Sequence, residues 1–177
     1  MSIISKKAKI GKAVKIGKNC IIEDDVILED GVSIENFCIL KKNVKIGKNT
    51  EIKSFVELRE NTIIGSNCYI DSGVKSSGNC KIGDNVTLRY DTILARGVSI
   101  GNNTYISPRV MTNNLSNDYS QIGGANIGSN CFIGTNAVIQ HGIKIENNVT
   151  VGALAFVNKN CDKNCTYIGI PAKKLTS

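Results

Sequence analysis

The chain has 177 residues, a formal net charge of +7 and 41% hydrophobic content, a length that fits one domain of ordinary size. With no Trp, four Phe and five Tyr, its core must be filled by Ile and Val rather than by aromatic rings. Nothing approaches the roughly 18 apolar residues of a membrane span, and the scattered Lys and Arg form no basic patch interleaved with stacking aromatics, which argues against membrane and nucleic acid as partners.

The N-terminal stretch MSIISKKAKIGK lacks the apolar core of a signal peptide, and seven cysteines are an odd number for a secreted disulfide scaffold. Both features point to a reducing cytoplasm. Residues 1–9 precede the first clear repeat and are expected to cap an open end.

From Ile10 a large aliphatic residue returns every six positions: Ile10, Ile16, Ile22, Leu28, Ile34, Leu40, Ile46, and so on to Ile70. Ser76 breaks the row, which resumes from Ile82 to Ile106 and again from Ile127 to Val157. Neither a helix nor a plain alternating strand produces a strict period of six. Three places after each aliphatic residue stands Asn, Gly or Asp in most hexads, the types that accept a left-handed backbone at low cost. One place further is a small or β-branched residue such as Val14, Val26 or Thr50. Each hexad therefore predicts a short strand and a corner, and three hexads predict one triangular coil of an all-β parallel solenoid with about eight to nine coils. Cys20, Cys38, Cys68, Cys80, Cys131 and Cys161 all fall on the small inward position, where free Cys serves as a small hydrophobe, so no metal site is expected from them.

After Ile106 the beat is lost until Ile127, three places more than a whole coil further on. One corner is therefore predicted to extrude a loop over residues 112–126. Loops on a rigid scaffold are favoured places for function, which singles out Asn113, Asn114, Asp118 and Tyr119, although Asn and Asp are also ordinary turn residues. The predicted organisation is one domain over residues 1–177, with coils over 10–162 and a closing segment over 163–177.

The hexad array, the single loop and the ending YIGIPAKKL resemble the hexapeptide-repeat acyltransferases, many of which end in a G-N-P-A-K segment; here it is Gly169-Ile170-Pro171-Ala172-Lys173. The loop start VMTNN is similar to the F-T-N-D segment of sugar-nucleotide N-acetyltransferases in that group. The resemblance implies a left-handed parallel β-helix, a homotrimer, and acetyl-CoA as co-substrate without a metal. It also implies that pantetheine lies in a groove between subunits, where Gly134, Thr135, Gly152 and Ala153 are small enough to admit it. Lys159, Lys173 and Lys174 are candidates for the CoA phosphates, and Tyr90 and Asp91 for the acceptor. Many relatives use His as base; the one candidate here, His141, has Gly142 where similar enzymes carry the Asp that orients the imidazole. The implied function is acetylation of the amine of a nucleotide-linked amino sugar, with O-acetylation and a non-catalytic scaffold as alternatives.

Overall fold

Large aliphatic residues six apart leave room for strands of only two residues before each corner. The computed structural model describes residues 1–119 and 123–175. Among these residues there is no helix, and 27 short strands form three sheets of nine, eight and ten strands. Each coil contributes one strand to each sheet, pairing in parallel with its counterpart one coil on, so the chain winds as a left-handed parallel β-helix of about nine turns. Pairs such as Ile22 with Leu40 and Ile46 with Ile64 place the aliphatic row on one inward line per sheet, fully buried.

The corners are built as the sequence suggests. Asn19, Asp25, Asn43, Asn61 and Asn79 hold φ between 53° and 62°. Their side chains also ladder between coils: Asn43 Nδ2 donates to Asn61 Oδ1 at 3.1 Å, and Asn61 Nδ2 to Asn79 Oδ1 at 2.9 Å. Asp30 and Asp84 accept from the backbone N–H of Lys12 and Ser66, at 2.7 Å each, satisfying donors one coil earlier. Less expected are Phe37 and Phe55 at φ 60° and 63°, a conformation that is an outlier for a bulky residue. The six cysteines at the inward position are buried and free, and Cys165 is half-buried.

Two polar residues occupy aliphatic positions, both in the first sheet. Ser76 Oγ lies 2.8 Å from Thr62 Oγ1 and accepts from Arg59 N at 3.1 Å. Thr112 Oγ1 accepts from Ala95 N at 2.8 Å and donates to Ile93 O at 3.3 Å. Each hydroxyl is thus satisfied, which is what lets it replace a methyl-bearing side chain inside a core.

Thr112 also corrects the reading of the loop. Ile82 pairs with Ile100, the regular step of one coil, but Ile100 then pairs with Ile127 and Ile106 with Ile133, a step longer by half a coil. The insertion is therefore nine residues, not three. The strand Met111–Thr112 keeps its place in the first sheet, and Asn126–Ile127 opens the next strand of the second, so the extruded loop near 112–126 lies at the corner between them. A polar residue at the inward site hid one rung from a count of aliphatic residues.

Both ends also differ from expectation. Residues 1–9 are not a separate cap: Ile3–Ile4 pairs with Ile21–Ile22 and Lys9–Ile10 with Ile27–Leu28, so they form the first half of a first coil. At the other end the coil does not stop at 162. Thr166–Ile168 still adds to the third sheet through Thr150 and Val151, and Lys173–Lys174 then folds back antiparallel on it. The last coil is short, because Thr150 pairs with Thr166 where the regular period would bring Ile168 opposite it.

The three outer faces differ in chemistry. Lys9, Lys45, Lys81 and Lys144 project from the second sheet. The first sheet instead shows Ile3, Ile21 and Ile39 near one end and Ile93, Met111, Val138 and Phe156 near the other, with Glu57 and Lys75 between them. Among the described residues no helix is long and apolar enough to cross a membrane.

Candidate functional site

The predicted site residues fall on two edges of the triangular prism. The edge between the first and second sheets carries the loop, His141 and Lys159. Asn113 N donates to Ile139 O at 3.0 Å, and Gly142 N to Gly123 O at 3.1 Å, so both roots of the loop rest on the corner that presents His141. His141 is half-buried, and among the described residues no side chain hydrogen-bonds to it. Asn113 is exposed and Asn114 half-buried, while Tyr119 is 86% exposed at φ 62°. Asp118 accepts from Ser116 Oγ, and Tyr119 N donates to Ser116 O at 3.0 Å, a local turn inside the loop.

One coil beyond His141, on the same edge, Asn158, Lys159 and Asn160 form a wall of a cavity of about 420 Å³. The C-terminal hairpin supplies the other wall through Pro171, Ala172, Lys173 and Lys174, with Tyr167 between. Tyr167 is buried; its hydroxyl accepts from Asp162 N at 2.9 Å and fixes the hairpin's base. Hydrogen bonds to Cys165 and then to Asp162, the latter at 3.4 Å, hold the Lys174 ammonium above the usual lysine range. Lys159 and Lys173, on separate elements of the chain, thus face one cavity with Lys174 beside them.

The edge between the third and first sheets carries the other candidates. Backbone bonds from Arg109 N to Tyr90 O, Asn136 N to Pro108 O and Leu154 N to Thr135 O put Tyr90, Thr135 and Ala153 in one column. Gly134 and Gly152 stand beside them. A Cβ on Gly134 would lie 2.5 Å from Ala153 N and 2.6 Å from Gly152 C, so close stacking of the coils already requires glycine there, whatever binds outside. Within one chain, therefore, Tyr90, Asp91, Gly134, Thr135, Gly152 and Ala153 are brought together, but across the first sheet from His141 and the loop.

Sequence reasoning missed a polar network on that second edge. Asp71 is 2% exposed, and its Oδ2 accepts from Arg89 Nε at 2.9 Å; Arg89 Nη1 donates to the Tyr105 hydroxyl at 3.1 Å. The same guanidinium covers the Tyr90 ring at 5.1 Å, so one face of Tyr90 is already engaged. Opposite charges one coil apart were the available signal, since stacking makes them neighbours: Glu23 with Lys41 at 2.7 Å and Glu35 with Lys53 at 2.6 Å follow the same rule.

Comparison with known proteins places this geometry. The sequence profile described as bacterial transferase hexapeptide (six repeats) matches residues 7–42, 43–75 and 124–159, more than half of the chain. The chain belongs to that family. Curated proteins give no significant match to this hexapeptide-repeat transferase. Among solved structures it is similar to the Arabidopsis UDP-N-acetylglucosamine acyltransferase, at TM-score 0.75 and 19% identity over 98% of this chain and 72% of that one. The polysialic acid O-acetyltransferase OatWY superposes at TM-score 0.63 and 21% identity, covering 99% and 88%. A variant of AntD, an N-acyltransferase from Bacillus cereus in complex with dTDP and coenzyme A, does so at 0.51 and 20%, covering 94% and 84%. At these identities the likeness is one of fold.

Proposed function

We propose that this hexapeptide-repeat transferase is a cytoplasmic acyltransferase that moves an acetyl group from acetyl-CoA to the amine of a nucleotide-linked amino sugar in surface-polysaccharide synthesis. The observation that carries the reading is the line along one edge: the inserted loop, half-buried His141 under its roots, and the cavity of Lys159, Lys173 and Lys174 beyond. Three ammonium groups around one hollow suit the phosphates of CoA, and a net charge of +7 favours such polyanions at a distance. The thioester would then lie toward His141. The sugar amine attacks the carbonyl carbon, His141 accepts the amine proton, and as the C–S bond breaks that proton passes to the sulfur, so CoA leaves as its thiol. Asn113 and Asn114 orient the acceptor from the loop, with Asp118 and Tyr119 near its tip. An amine can attack without strong activation, which suits an imidazole with no hydrogen-bonded carboxylate among the described residues.

A homotrimer completes the site. The apolar stretch Ile93, Met111, Val138 and Phe156 on the outer face of the first sheet, beyond Glu57 and Lys75, is the surface such an assembly would bury. It would also set the edge of Tyr90, Asp91, Gly134, Thr135, Gly152 and Ala153 in one subunit beside the loop edge of the next, giving a fold without a deep cavity a groove for the pantetheine arm.

Excess acetyl-CoA is expected to raise the melting temperature. At a hundred times its Kd a ligand adds about 2.7 kcal/mol, or about 5–10 °C for a chain of this size. The Lys159→Ala/Lys173→Ala variant should lose most of that rise while melting normally without ligand. No shift with acetyl-CoA, CoA or succinyl-CoA would sink acyl-CoA dependence and favour a scaffold. His141→Ala should keep the shift and lower turnover by about 10²–10⁴-fold if the imidazole is the base. An O-acetylated product from a hydroxyl acceptor would replace the amino-sugar reading.

A further inference from the structure

The edge between the third and first sheets holds, in its N-terminal half, a feature of which the acyltransfer reading uses Asp91 alone. Phe37 and Phe55 occupy successive corners and stack in parallel, centroids 5.1 Å apart and planes 2° from parallel. They remain 48% and 59% exposed. Asn19 and Asn136 in the same column accept the left-handed backbone readily, whereas Phe37 and Phe55, like Arg109 and Leu154 further along it, adopt it at a cost. Backbone outliers of this kind persist where something else is gained.

The next corner in the column is Gly73, at φ +75°, so the ladder of rings stops at an empty place. One coil further on, the Asp91 carboxylate leans back over Gly73, where a Cβ would collide with Oδ1. With coils about 4.8 Å apart, the seat between Phe55 and Asp91 spans two coils, roughly 9–10 Å. This seat is part of a hollow of about 310 Å³ that also reaches Ile39, Glu57 and Lys75. It offers one flat apolar face, carboxylates at Asp91 and at Glu57, whose Oε1 already accepts from Arg59 Nε at 3.1 Å, and an ammonium at Lys75.

We propose that this hollow is a carbohydrate-binding subsite, seating one pyranose ring on Phe55 with its hydroxyls donating to Asp91 and Glu57. A sugar ring presents C–H groups on its face and hydroxyls around its rim, which is the complement of that lining. The rival occupant is a second copy of the chain. The first sheet argues against it, because its apolar outer row is interrupted at Glu57 and Lys75, beside the hollow, and a protein contact there would desolvate three charges. A hydroxyl-bearing ring uses them. The subsite lies several coils from His141, so it would hold a neighbouring residue of an extended acceptor; in that role it rests on the acyltransferase reading, but its binding is measurable without acetyl transfer.

The test is a fluorine NMR titration of protein carrying fluorophenylalanine at its four Phe positions, with N-acetylglucosamine and its β-1,4-linked tetramer as probes. The Phe55 signal, assigned with Phe55→Asn, should shift and saturate. Asn suits the left-handed corner, so Phe55→Asn should melt no lower than the parent and keep the acetyl-CoA shift, while binding the tetramer at least about tenfold more weakly. Gly73→Asn, which fills the seat, should also block binding. No shift at Phe55 with either probe overturns the proposal. So does a lower assembly mass for Phe55→Asn by light scattering, which would assign the hollow to contact between copies.

Discussion

Ile82→Asp is expected to leave no folded stack at all. Ile82 lies between Ile64 and Ile100 in the second sheet and is 4% exposed. Losing its side chain removes about 1.5–3 kcal/mol of transfer energy, and burying an uncompensated carboxylate adds several more, against a typical total stability of about 5–15 kcal/mol. Because each coil touches only its neighbours, the damage cannot be shared out. It divides the stack, and each half is left with a raw inner end. Far-UV circular dichroism and size exclusion should report an unfolded or aggregated chain. Ile82→Val, which keeps the shape, should cost only about 0.5–1.5 kcal/mol and melt cooperatively. If Ile82→Asp melted within a few degrees of the parent, the inward assignment of the six-residue row would be wrong.

Stability is expected to collapse in alkali earlier than lysine or tyrosine chemistry would require. Burial pushes the Cys38 and Cys161 thiols from an ordinary 9.0 up to about 12, and raises those of Cys68, Cys80 and Cys131 as well. The folded chain keeps these protons while the unfolded chain releases them above pH 9, so the unfolded state binds fewer protons and stability falls as pH rises. The contribution is fully present below pH 9 and is lost on the way to about 12. For Cys38 and Cys161 the loss is on the order of 4 kcal/mol each at the end of that window. Chemical denaturation between pH 7 and 11 should show the decline. Replacing the inward cysteines by Ala, the residue already present at the equivalent Ala125, Ala137 and Ala155, should flatten it. An unchanged alkaline limb in that variant would refute the assignment.

Much of the architecture was written in one period. Six-residue spacing placed the aliphatic residues inward, and Asn, Gly and Asp marked the corners, because both follow from local geometry that repeats in every coil. What went unread depended on contacts between coils. Thr112 is inward because Ala95 and Ile93 satisfy its hydroxyl, and those partners lie one coil away. Asp71 with Arg89, and stacked Phe37 with Phe55, are each a full coil apart along the chain and meet only when the register is known. The candidate site was legible as residue types, but not as places. Lys159 and Lys173 did come to one cavity, whereas Tyr90 and Asp91 came to a different edge from His141. Folding the C-terminal strand back on the third sheet, a nonlocal step, is what made the first of these neighbours.

The inserted loop leaves the pairing on either side untouched: Ile93 still faces Met111, and Ile100 still faces Ile127. A corner in this scaffold is thus a slot where chain can be gained or lost without a cost in register. The length and composition of one insertion can drift while every rung beneath it is inherited unchanged. The framework and the loop of such a protein can evolve as separate modules.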